Sequence, residues 1–144
     1  MVDENRQHKV VVGVDGSACG QEALRWAQQY VADAGGQLTA VMAWHYPALT
    51  TAGGGVAPNT PDPEQHARTV LAEAVEKAAT DGASDIEQVV AHGHPAGVLI
   101  DRSQDADLLV VGTRGHGGFT GMLLGSVSTH CVQHARCPVV VVRS

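Results

Sequence analysis

Two kinds of apolar spacing alternate along this chain of 144 residues. Lys9-Val10-Val11-Val12-Gly13-Val14 is β-branched and apolar without alternation, the pattern of a parallel strand covered on both faces. After Asp15-Gly16-Ser17, apolar positions recur at helical spacing (Ala23, Trp26, Ala27, Tyr30, Val31, Ala34), which predicts a helix over 18–34 stopped by Gly35-Gly36. A second strand is expected over 37–44. Residues 63–80 read as an amphipathic helix, with Val70, Leu71, Ala74, Val75 and Ala78 inward and Glu73 and Lys77 paired outside. Strands over 86–91, 107–111 and 138–142 and helices over 95–103 and 125–135 complete the pattern. Buried strands alternating with helices imply parallel βα units with right-handed crossovers, hence an α/β fold of three layers in one domain over 1–144. Between 45 and 62 the composition turns to Pro, Gly, Thr and Asn, with Gly53-Gly54-Gly55 in the middle. That is long for a connection inside a domain, so a mobile or functional loop is expected there.

In open parallel sheets ligands sit beyond the carboxyl ends of the strands where the strand order reverses. Two connections start at such ends, at Asp15 and at Gly112. The second runs Gly112-Thr113-Arg114-Gly115-His116-Gly117-Gly118-Phe119-Thr120-Gly121 and re-enters a helix through Gly125-Ser126-Val127-Ser128. A strand that leads through glycines into a helix start presents backbone N–H groups and a hydroxyl to an anion. The dinucleotide fingerprint G-x-G-x-x-G fails, because its last glycine falls on Thr120, and the P-loop fails because Gly118 stands where Lys is needed. Arg114 is the permanent cation of this loop, and Lys9 and Lys77 are the chain's only lysines. Main-chain amides, the Ser126 and Ser128 hydroxyls and the helix start must therefore carry most contacts to a phosphate. His116, when protonated, adds charge to Arg114 at mildly acid pH. Asp15 can accept from a ribose hydroxyl or an adenine amine, or cap the following helix, and Ser126 can be an N-cap as well as a phosphate donor.

Composition limits the ligand. The net charge is -6, yet no acidic residue follows Asp107, so Arg114, Arg136 and Arg143 make the last quarter locally cationic. An acidic chain lacks the broad basic surface of duplex binders, and one Phe, two Tyr and two Trp are too few for single-strand stacking. No apolar run approaches about 20 residues and the first residues lack a signal-peptide core, so neither a membrane span nor export is expected and a cytoplasmic location is. Cys19, Cys131 and Cys137 show no C-x-x-C spacing and read as small core residues, although Cys19 also begins a helix, where a thiol can be activated. His130 and His134 have the i,i+4 spacing of a metal pair, but Cys131 stands where an H-E-x-x-H motif needs Glu, so the sequence favours an ordinary helix surface and no metal site. His92 and His94 read as loop residues.

The spacing Gly112-x2-Gly115-x9-Gly125-Ser126 resembles the ATP-binding motif of the universal stress protein family. The resemblance extends to Val12-Gly13-Val14-Asp15-Gly16-Ser17, to Gly93-His94-Pro95-Ala96 and to Arg136-Cys137-Pro138-Val139-Val140-Val141-Val142, nearly the whole chain in order. It implies a five-stranded parallel sheet of order 3-2-1-4-5, the adenine nucleotide alpha hydrolase-like Rossmann-type fold, and a homodimer through the last strand, 138–142. It also implies that Val14 and Asp15 contact the nucleoside and that the Ala43 backbone contacts adenine. Gly112, Thr113, Arg114, Gly115, His116, Gly125, Ser126, Val127 and Ser128 are then the phosphate and ribose residues. Ala43 stands where the family more often has Val, which leaves the backbone contact intact. The implied function is an ATP-binding stress-response regulator with Mg2+ or Mn2+ on the phosphates. AMP or cyclic AMP binding, slow ATP hydrolysis or self-phosphorylation at Ser126, Ser128 or Thr120, and an interaction module with an empty pocket are the alternatives. No nucleophile–base–orienter set is legible.

Overall fold

The computed structural model describes residues 8–45, 62–79, 86–113 and 124–143. In chain order these form β1 (Lys9–Gly13), α1 (Ala18–Ala34), β2 (Gln37–Trp44), α2 (Pro63–Ala78), β3 (Ile86–His92), α3 (Pro95–Arg102), β4 (Leu108–Gly112), α4 (Ser126–His134) and β5 (Val139–Val142). The five strands make one sheet of order β3-β2-β1-β4-β5. Every pair is parallel, with Val12 beside Ala40 on one side and Val110 on the other. The chain winds outward from β1 to β3, then crosses back to β4, so the strand order reverses between β1 and β4.

The apolar runs of β1 and β4 lie on interior strands, where each residue must be covered on one face or the other. Val10 and Val12 pack with Ala23, Leu24 and Leu71 under α1 and α2. Val11 and Leu109 pack with Val98, Leu99 and Cys131 under α3 and α4. These two cores make the expected three layers. The edge strands β3 and β5 are only half-buried.

Boundaries follow local chemistry. Ser17 caps α1 by accepting from the Gly20 N–H, and Gly35 closes it at φ 82, in the left-handed region that favours glycine. Asp62 caps α2, Pro63 occupies its first turn and Ala79 its carboxyl end, so the helix stops short of the expected residue 80. The loop expected over 45–62 lies, for 46–61, outside the described residues.

Cys131, on α4 itself, is fully buried, and Cys137 packs against the same core. Burial, with a smaller contribution from the neighbouring Cys137, pushes the Cys131 thiol up from 9.0 to about 11. Burial raises Cys137 too, against an opposing hydrogen bond with Ser103. A raised folded-state value means that the unfolded chain loses this proton first. Stability is therefore full below about pH 9 and falls as the pH rises from 9.0 towards 11. Urea unfolding across that range should give a downward slope that is shallower in Cys131→Ala; equal slopes in both proteins would place the source elsewhere.

Candidate nucleotide site

The carboxyl ends of β1 and β4 carry the two turns that the sequence singles out. After β1 the chain passes through Val14, whose N–H still donates to the Val41 carbonyl at 2.9 Å, and turns at Gly16 with φ 83. Asp15 accepts from the Ser17 N–H at 2.9 Å and from the Ser17 hydroxyl, while that hydroxyl accepts from the Gly20 N–H at 3.1 Å. Of the two roles open to Asp15, the cap itself thus belongs to Ser17. Asp15 stiffens the cap one step upstream through a single carboxylate oxygen, Oδ1. A Cβ on Gly20 would stand 2.7 Å from that same oxygen, so the glycine lets the helix start close over the carboxylate.

Beyond β4, Thr113 holds three elements together. Its N–H donates to the Val142 carbonyl at 2.9 Å, its carbonyl accepts from the Gly125 N–H, and its hydroxyl lies 3.6 Å from the buried Cys19 thiol. Gly112 packs against α1 so closely that a Cβ there would meet the Cys19 carbonyl carbon and oxygen, each at 2.9 Å. The exit of β4, the start of α1 and the start of α4 therefore form one fixed corner.

At α4 the N-cap is Gly125, with φ -75 and ψ 173, and Ser126 is the exposed first helical residue. The N-cap role open to Ser126 is thus filled by glycine, which accepts the extended backbone that the position needs. The φ of Gly125 lies in the ordinary negative range, so left-handed backbone is not what requires glycine there. Val127 packs inward on the core beneath α4, leaving its N–H as the group that a ligand can use. Ser128 is buried and donates its hydroxyl to the Thr113 carbonyl at 3.0 Å and the Gly125 carbonyl at 3.1 Å. With its one proton so engaged, this hydroxyl positions the helix start.

Ala43 lies on the same rim, two residues beyond Val41, and packs half-buried on the core beneath α3 and α4. Arg114, Gly115 and His116 fall outside the described residues, as does Thr120. The described part of the corner offers an anion the unpaired N–H groups of the first turn of α4 and the exposed Ser126 hydroxyl, with Asp15 across the switch point. That donor set fits a phosphate. Among the described residues no group of three or more His, Cys, Asp or Glu could hold a metal ion.

Sequence reading did not find the packing demand at Gly112 or the clamp by Ser128. Neither has a motif of its own, because each depends on a helix brought in from elsewhere in the chain. It also missed a groove at the opposite pole of the sheet, with about 230 Å³ of free space between β1, β2, β3 and the end of α3. Lys9, Arg102, Glu87 and Asp105 line it, a mixed-charge wall unlike the phosphate corner.

A parallel sheet that reverses order between two such turns defines a Rossmann-type fold with its ligand corner at the switch point. The sequence profile of the Universal stress protein family matches residues 7–143, and the chain belongs to that family. It is 38% identical over 147 residues to a universal stress protein of Mycobacterium tuberculosis, covering 96% of this chain and 46% of that protein. The chain thus spans about half the length of the curated relatives it matches. Universal stress protein UspA from Lactobacillus plantarum superposes with a TM-score of 0.80 at 24% identity, covering 97% of this chain and 100% of that one. A universal stress protein in complex with cAMP superposes with a TM-score of 0.72 at 30% identity, covering 95% and 97%. Among the described residues no helix is long and apolar enough to cross a membrane.

Proposed function

We propose that this protein binds an adenine nucleotide, ATP first among them, at the switch point between β1 and β4, and acts as a nucleotide-responsive stress regulator in the cytoplasm. The observation that carries the reading is the corner where the Asp15 turn, Thr113 and the first turn of α4 are locked together around free helix N–H groups. The cAMP complex of a 30% identical relative supports an adenine nucleotide as the ligand class. In this reading Asp15 takes the ribose or base, the Ala43 backbone takes adenine, and Gly125, Ser126 and Val127 with Gly112–Gly115 surround the phosphates. Mg2+ or Mn2+ is held through the phosphate oxygens. The whole 1–144 chain is read as one domain, pairing with a second copy through the half-buried valines of β5. Hydrolysis is slow in this reading, since the Asp15 carboxylate at this corner already accepts two hydrogen bonds from Ser17.

Calorimetric titration of nucleotide-stripped protein with ATP, ADP, AMP and cAMP tests the proposal. Binding that is lost in Asp15→Ala and in Gly115→Ala is the expected result, and the ranking of ligands identifies the nucleotide. Absence of binding by all four would turn the reading towards an interaction module with an empty pocket.

A further inference from the structure

The carboxyl end of α4 carries a pair of histidines that the nucleotide site does not use. His130 and His134 are both exposed on the last turns of the helix, with ring centroids 4.5 Å apart and planes tilted by 44°. With metal–nitrogen bonds of about 2.0–2.1 Å, a shared ion sits about 3 Å from each centroid. Rings 4.5 Å apart then subtend close to a right angle at the ion. A right angle is the angle between adjacent positions of an octahedral or tetragonal ion, the geometries of Ni2+ and Cu2+, and is narrower than the tetrahedral angle of Zn2+. By contrast, the rings of His45 and His94 have centroids 5.7 Å apart and would subtend a much wider angle.

We infer that His130 and His134 form a two-imidazole chelate for a borderline transition-metal dication of the Ni2+ or Cu2+ class, with water completing its coordination. The missing Glu of the H-E-x-x-H motif removes a catalytic base and leaves both ligands in place. The helix supplies what makes two ligands sufficient: both side chains project from one rigid element, so the second bond forms within the complex instead of between molecules. Such linkage typically raises affinity by about 10²–10⁴ over a single ligand. Location adds to it, because the ion lies at the negative end of the α4 dipole, where a positive charge is favoured.

Ni2+ is the probe of choice, since it does not oxidise the three cysteines. Calorimetry of the untagged chain with NiCl2 should show one site per chain, weakened at least about tenfold in His130→Ala and in His134→Ala alike, because either change reduces the chelate to one ligand. Both residues are exposed, so the folded state should survive either substitution. In NMR spectra, substoichiometric Ni2+ should broaden the His130 and His134 ring signals before those of the other histidines. Unaltered Ni2+ affinity in the double variant, or first broadening at His45, His94 or any other histidine, would overturn the inference.

Discussion

Gly112→Val is expected to destabilise the protein by about 1–3 kcal/mol and to weaken nucleotide binding by about tenfold or more. The steric ground is direct. A Cβ at Gly112 would lie 2.8 Å from the Cys19 Cβ and 2.9 Å from both the carbonyl carbon and the oxygen of Cys19. Two of those three atoms are backbone, so no rotamer change relieves the clash, and valine adds two methyl groups to it. The helix start must move away from the strand end instead. Ser17 and Asp15 move with it, because the cap hydrogen bonds join them to the first turn of α1.

The two effects can be separated. Gly97, within α3, has no atom within 4 Å of an added Cβ, so Gly97→Ala gains helix propensity of about 0.5–1 kcal/mol and leaves binding unchanged. Chemical unfolding and calorimetry of the two variants side by side provide the check. Full nucleotide affinity in Gly112→Val would mean that the corner between β4 and α1 does not shape the site.

Most of the fold is legible in the sequence because its signals are local. The run Val10-Val11-Val12 marks a strand buried on both faces, and Gly35 or Pro63 punctuates a helix within a few residues of the end it controls. The ends of β1 and β4 differ from expectation by one residue, since ladder pairing and not apolar character decides them: Gly112 still pairs with Val142, whereas Asp107 is left outside the strand. The candidate site is legible as composition and spacing, through Asp15, Gly112 and the Gly125-Ser126-Val127-Ser128 segment. Its internal division of labour is not. Ser126 and Ser128 look equivalent in sequence, both hydroxyls at a helix start, and they part only when Thr113 is brought beneath α4. Asp15 is the cap that the sequence offers, and the fold gives that place to Ser17 with Asp15 behind it.

That division leads to opposite expectations for two neighbouring alanine substitutions. Ser128→Ala removes a buried hydroxyl that donates to the Thr113 and Gly125 carbonyls. Each of these carbonyls keeps one other donor, the N–H of Gly125 or of Thr129, so the cost is about 1–2 kcal/mol, not that of a wholly orphaned pair. Nucleotide affinity should then fall only as far as the start of α4 is loosened. Ser126→Ala alters an exposed side chain without a cap hydrogen bond, and its stability should stay within about 0.5 kcal/mol of the parent. If Ser126 donates to a phosphate as proposed, its loss weakens ATP binding by roughly 0.5–1.5 kcal/mol while the unfolding midpoint is unchanged. Urea denaturation and calorimetric titration of both variants distinguish the roles: stability moving with Ser128 and affinity with Ser126 supports the assignment. The reverse pattern would make Ser128 the phosphate ligand and Ser126 the structural residue, and would require its hydroxyl to leave the Thr113 carbonyl when the nucleotide binds.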